Sequence, residues 1–312
     1  MKSFYSTARL FLFSLLIMGF NASMTFAQSI IPDITVALDG TGDFTAIQAA
    51  IDAVPDDKET QTIILIKRGI YDQEKILVPA SKTNVLLVGE SRQATIISYH
   101  LFECLSGGFE GRCPAEDAML WSATNIQTAA TLTVAATGFI AENLTIQNTA
   151  GPVGQAQAVT VLADRVIFRN CTLTGYQDTL YLKSDGNRTY FEKCLIVGRT
   201  DYIYGGGTTF FQACEIRSWG GGWITAPATG LNATHGYVFN ECTLTYALNS
   251  PRAGDDGRTL GLGRPWKNYP KVAWLYCTMT EKIDPLGWPT TWRMDYSDTS
   301  PGLHLYEYQN TG

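Results

Sequence analysis

From residue 143 onward one short segment recurs six times, and the recurrence fixes what the chain can fold into. It reads Asn143-Leu144-Thr145-Ile146, Asn170-Cys171-Thr172-Leu173, Lys193-Cys194-Leu195-Ile196, Ala213-Cys214-Glu215-Ile216, Glu241-Cys242-Thr243-Leu244 and Tyr276-Cys277-Thr278-Met279, at intervals of 27, 23, 20, 28 and 35 residues. Short alternating β-branched and aromatic strands surround each copy. Units of this length bury their interior only by stacking on the next unit. The pattern therefore predicts an all-β parallel β-helix in which insertions of varying length collect on one face. Upstream, Phe44, Ile47, Ile51 and Val54 fall at helical spacing, with Thr45 and Gln48 as a capping-box pair. Residues 44–54 are expected to form a short amphipathic helix that covers the open N-terminal end of the solenoid. Strands are expected at residues 62–67, 84–89 and 95–98.

The first residues read as an export signal. Lys2 and Arg9 flank its start, Leu10 to Phe20 is apolar, and Thr25-Phe26-Ala27 offers a cleavage site. The expected organisation is a signal peptide over residues 1–27 and a single domain over residues 28–312, secreted or periplasmic, monomeric, and without a membrane anchor. Removing Lys2 and Arg9 takes the formal net charge from −6 to −8. That balance argues against a nucleic-acid partner, since phosphate binding needs clustered cations.

Seven cysteines in an exported chain permit disulfides. Cys104 and Cys113 bracket a glycine-rich segment and are expected to close it as a bridge. Cys171, Cys194, Cys214, Cys242 and Cys277 share one repeat position, where they serve first as small apolar core residues. A bond from Cys194 to Cys214, neighbours on that ladder, is also expected. No spacing suggests a metal site, and no cofactor is expected.

The chemistry lies in two tetrapeptides at the same place in consecutive repeats, Gly175-Tyr176-Gln177-Asp178 and Gly198-Arg199-Thr200-Asp201. Each Asp follows its repeat cysteine by seven residues, so stacking brings Asp178 and Asp201 within about one strand spacing, roughly 4.7–4.9 Å. Two carboxylates that close titrate apart, one holding its proton while the other ionises. Such a division suits a proton donor beside a nucleophile. Common hydrolase devices are missing: His100, His235 and His304 form no metal motif, and Gly89-Glu90-Ser91-Arg92-Gln93 departs from the nucleophile elbow.

Three ordered segments, Gly175-Tyr176-Gln177-Asp178-Thr179-Leu180-Tyr181, Asp201-Tyr202-Ile203-Tyr204-Gly205 and Leu262-Gly263-Arg264-Pro265-Trp266, resemble the signature segments of the pectin methylesterase family. Gln157-Ala158-Val159, Gly42-Asp43-Phe44 and Gly138-Phe139-Ile140-Ala141 extend the resemblance, which runs from about residue 35 to the end. It implies a right-handed parallel β-helix that removes methyl esters from galacturonate units of pectin, releasing methanol without a metal. Position by position, it makes Asp201 the nucleophile and Asp178 the general acid and then base. Gln177 and Gln157 become oxyanion donors, Arg264 the partner of Asp201, and Trp266 part of the sugar site. Tyr181, Tyr204 and Trp223 could line that site or serve as core aromatics. The family's Gly-x-Tyr-x-Glu segment is replaced here by Gly69-Ile70-Tyr71-Asp72-Gln73 followed by Glu74, and the match ends at Gly312 before the family's last segment, so a C-terminally truncated chain is expected.

Two competing functions stand beside this one. A polysaccharide depolymerase could use the same carboxylate pair, since retaining glycosidases hold theirs roughly 5–5.5 Å apart. A catalytically inert carbohydrate-binding solenoid is the other. The acidic balance also predicts ready release of an anionic, demethylated product and action at scattered sites along the polymer.

Overall fold

The computed structural model describes residues 31–103, 129–183, 186–289 and 302–312. The signal segment and the expected Cys104 to Cys113 bridge lie outside the described residues. Residues 32–312 form one compact unit. Among the described residues three parallel sheets of ten, seven and seven strands run the length of a right-handed solenoid, and each full coil contributes one strand to each sheet. The expected early strands are observed as Thr62–Ile66, Val85–Gly89 and Thr95–Tyr99.

The repeat segment marks the corner at which the chain leaves the ten-stranded sheet. Its first residue is left-handed in every copy: Asn143, Asn170, Lys193, Ala213, Glu241 and Tyr276 have φ between +47° and +57°. Asn tolerates this region best, and a bulky residue such as Tyr276 adopts it only when its surroundings impose it. Here the surroundings are the rungs above and below. The next residue, Leu144 or one of the five cysteines, turns into the core with at most 1% exposure.

Register keeps like on like. Phe168, Phe191, Phe211, Phe239 and Trp274 occupy one column of the ten-stranded sheet. Their rings stack with centroids 5.0, 4.9, 4.3 and 3.8 Å apart. Ile97, Ile146, Leu173, Ile196, Ile216 and Leu244 form the matching aliphatic column. Each rung thus shields the apolar face of the one before it.

The cysteine column corrects one expectation: Cys194 and Cys214 are not bonded, and all five ladder cysteines are buried free thiols. Residues in parallel register are one rung apart with parallel Cα–Cβ bonds, roughly 4.7–4.9 Å. A disulfide needs Cβ atoms about 3.8 Å apart and converging. The thiols point instead to carbonyls: Cys171 Sγ lies 3.4 Å from Ala141 O, Cys194 Sγ 3.4 Å from Phe168 O, and Cys242 Sγ 3.5 Å from Phe211 O.

The N-terminal helix is Ile47–Ala53, shorter than expected, and its buried Ile47, Ala50 and Ile51 join the core below the first coil. The capping box does not form. The N-cap is Ala46, whose methyl side chain can accept no capping bond, and Gln48 is turned to Asp52 and to Leu77 O. Glu74 takes over from a neighbouring segment, its Oε1 accepting the Gln48 backbone N–H at 3.1 Å.

Two outcomes check this packing. Phe211→Ala, which empties the centre of the aromatic column, should cost about 3–5 kcal/mol in urea unfolding. The five ladder thiols should stay unlabelled by a thiol reagent in the native protein and react on denaturation, with or without prior reduction.

Candidate active site

Both acids sit at the entry to strands of the same seven-stranded sheet, Leu180–Leu182 and Ile203–Gly205. Gln177 pairs with Thr200 on one side of them and Leu180 with Ile203 on the other, so Asp178 and Asp201 lie side by side on successive rungs. Both are left-handed, with φ of 62° and 51°, a conformation aspartate tolerates better than most residues. At the motif glycines the chain packs too closely to admit a side chain. A Cβ on Gly198 would come 2.2 Å from the Tyr202 Cβ.

Arg264 follows the strand Leu260–Gly263, two rungs beyond Asp201 in the same sheet. Its Nε donates to Asp201 Oδ1 at 2.8 Å and its Nη2 donates to Oδ2, a two-pronged contact with both partners buried. The guanidinium carbon also lies 4.9 Å from the centroid of the Trp223 ring. Trp223 O in turn accepts the backbone N–H of Asp201 at 2.7 Å.

Burial is the largest influence on both acids. It raises Asp178 well above the usual carboxylate range; the charge of Asp201 raises it further, and Arg264 opposes. Burial also raises Asp201, but there the hydrogen bonds and charge of Arg264, and then the charge of Arg199, pull the other way. Desolvation outweighs the arginine contact in sign. The order survives: Asp201 ionises first and Asp178 keeps its proton.

Gln157 is fully buried, and its Nε2 donates to Tyr204 Oη at 2.7 Å. Gln177, half-buried, occupies the rung of Asp178. A bulge separates the two glutamines' rungs. Gln155 pairs with Gln177 while Val159 pairs with Leu180, so one extra residue is accommodated between them and Gln157 is re-aimed. Tyr204 is buried, its ring 4.8 Å from Tyr181 and 5.7 Å from Trp266. Tyr181 and Trp266 are half-buried and face outward beside the acids. Beside Trp223 a pocket of about 350 Å³ opens, lined among others by Arg199, Gly222, Arg258 and Asp284.

The structure adds residues that the sequence reading passed over. Tyr176 and Arg199, both inside the two tetrapeptides, converge on Asp255. Their places in the motifs were a signal; Asp255, in an insertion of variable length, carried none. Among the described residues no cluster of His, Cys, Asp or Glu is arranged to hold a metal ion.

A family model for pectinesterase matches residues 33–312. "Probable pectinesterase/pectinesterase inhibitor 13" of Arabidopsis thaliana is 36% identical over 291 residues, which cover 90% of this chain and 43% of that protein. The pectinesterase of Daucus carota is 33% identical over 294 residues, covering 92% and 84%. The solved structure of pectin methylesterase from carrot superposes with a TM-score of 0.77 at 30% identity, covering 92% of this chain and 84% of that one. This chain thus spans less than half the length of the Arabidopsis relative.

The raised pKa of Asp178 has a consequence for stability. A carboxyl whose folded pKa lies above its unfolded value binds its proton more tightly in the native state. Its contribution is complete below about pH 3.8 and is lost as pH rises through the folded pKa, by at most about 1.4 kcal/mol per pH unit. Asp178→Asn should therefore be more stable than the wild type at pH 7, with the difference closing near pH 3.5. Urea unfolding at the two pH values measures it.

Proposed function

The chain belongs to the pectinesterase family, and from that membership we propose that it is a carboxylic ester hydrolase that removes methyl esters from the galacturonate units of pectin. The observation that carries the proposal is the in-register pair Asp178 and Asp201 with both prongs of Arg264 on the second. An unsymmetrical contact of that kind gives two like groups different work. Asp201, ionised and aimed by both prongs of the guanidinium, attacks the ester carbonyl carbon. Charge gathers on the carbonyl oxygen, where the amides of Gln177 and Gln157 supply donors, each contributing on the order of 2.7–4 kcal/mol. Tyr204 steadies Gln157 from behind.

Collapse of the tetrahedral adduct breaks the bond to methoxide, which takes the proton of Asp178 and leaves as methanol. The anhydride to Asp201 remains. Asp178, now a carboxylate, removes a proton from water as that water attacks the acyl carbon. Cleavage frees the galacturonic acid, which gives up its proton to solvent, regenerates ionised Asp201 and leaves Asp178 protonated again. No step asks for a metal or cofactor. The outward faces of Tyr181 and Trp266 form the floor on which the sugar rings lie.

Export by residues 1–27 and action as a monomer outside the cell complete the proposal. Every group the mechanism uses comes from one chain, and among the described residues no helix is long and apolar enough to cross a membrane.

Highly methylated pectin should yield methanol with a falling pH and unchanged polymer length. Asp201→Asn should lose at least about a thousandfold in kcat, with polymer binding retained. New reducing ends or unsaturated ends would transfer the site to a depolymerase, and full activity in Asp201→Asn would remove the nucleophile.

A further inference from the structure

Residues 248–259 join the strands Thr243–Ala247 and Leu260–Gly263. Within this surface segment residues 251–254 and 256–259 are exposed, yet Asp255 between them is 2% exposed. Burying one carboxylate from a solvated loop is expensive unless it is well partnered. Asp255 is: its Oδ2 accepts from the Tyr176 hydroxyl and, at 3.0 Å, from Ser250 Oγ, and its Oδ1 accepts from Arg199 Nη2 at 3.0 Å.

Tyr176 and Arg199 each stand two residues before a proposed catalytic acid. They are also joined by backbone, with Arg199 N–H donating to Tyr176 O at 2.7 Å. A segment from later in the chain is thus fastened to both acid-bearing turns at once. Gly220 lets it lie down, since a Cβ there would come 2.0 Å from the Asp255 carbonyl oxygen.

The charged groups facing Asp201 are Asp178 on the preceding rung, Arg264 from the far end of the sheet and Arg199 on its own turn, with Asp255 behind Arg199. We propose that Arg199 and Asp255 are a positioning pair for the reaction: Arg199 is a second guanidinium serving Asp201, and Asp255 sets how much of its charge reaches the site. This rests on the reading of Asp201 as the nucleophile. Burial works against the ionised form of Asp255, but three hydrogen bonds and the charge of Arg199 outweigh it and hold the carboxyl below its ordinary range, so Asp255 is ionised where Asp201 titrates. Tyr176, raised to about 12 by burial and then by Asp255, remains a donor throughout.

Charge and anchorage separate experimentally, because two variants move the acidic limb of the kcat/KM profile in opposite directions. Arg199→Gln removes a cation, so Asp201 ionises later and the limb should move up by about half a pH unit, a roughly threefold loss on its acidic side. Asp255→Asn keeps one of the two acceptor oxygens and frees the charge of Arg199, and the limb should move down by a similar amount. The double variant should return towards the wild-type limb, and Arg199→Lys should restore most of the single loss. Tyr176→Phe loosens the anchor without changing charge and should leave the limb in place. The carbon-13 signal of the Asp201 carboxyl, identified by its disappearance in Asp201→Asn, should titrate with the same opposite displacements whether or not methanol is released. Limbs and carboxyl titrations that stay fixed, or move together, would overturn the pair while leaving wild-type methanol release intact. An inactive wild type with the displacements present would instead retire the proposed reaction and keep the electrostatic coupling.

Discussion

Parallel register between successive coils is the constraint on which everything else in this molecule rests. The same offset of 23 residues that stacks Leu180 on Ile203 and Gln177 on Thr200 sets Asp178 against Asp201. A slip by one residue would turn every side chain of a strand to its opposite face, emptying the core and separating the acids together. The aromatic column from Phe168 to Trp274 and the cysteine column beside the corner therefore hold the site as well as the solenoid. Stability and chemistry draw on the same stacking, and the left-handed corner residues are the places where its strain collects.

Within that frame the site is organised by an asymmetry of charge. Burial alone treats the two acids alike, and alone it would leave both protonated and useless for attack. Arg264 breaks the tie, reaching across two rungs to one carboxylate. The arrangement costs stability, as a buried ion pair generally does relative to apolar packing. What it supplies is a fixed order of ionisation, and that order is what an acid and a nucleophile of the same residue type require.

Much of this was legible in the sequence because it is periodic. The corner segment announced the solenoid, and equal spacing from the repeat cysteine announced that Asp178 and Asp201 meet. The misreadings occurred where proximity along a ladder was taken for bonding geometry. Cys194 and Cys214 are neighbours, but parallel Cβ vectors do not converge. Thr45 and Gln48 have the spacing of a capping box, but Glu74 from another segment reached the helix end instead. Asp255 shows the remaining limit: it lies in a loop whose length follows no repeat, its partners Arg199 and Tyr176 are 56 and 79 residues away, and no local pattern encodes those contacts.

The distribution of charge also bears on how the product leaves. Under the proposed reaction, a chain with a net charge of −6 that held unneutralised arginines in its cleft would attract a galacturonate product and oppose its release. Here the arginines nearest the reaction are already matched, Arg264 by Asp201 and Arg199 by Asp255. Their charge is committed to the carboxylates of the protein, where it orders ionisation, and little is left to hold an anionic polymer. The local pairing thus works in the same direction as the long-range repulsion expected of an acidic surface. Under the proposed reaction both would favour dissociation of the product, so the pairing that would prepare the nucleophile would also keep a demethylated chain from lingering.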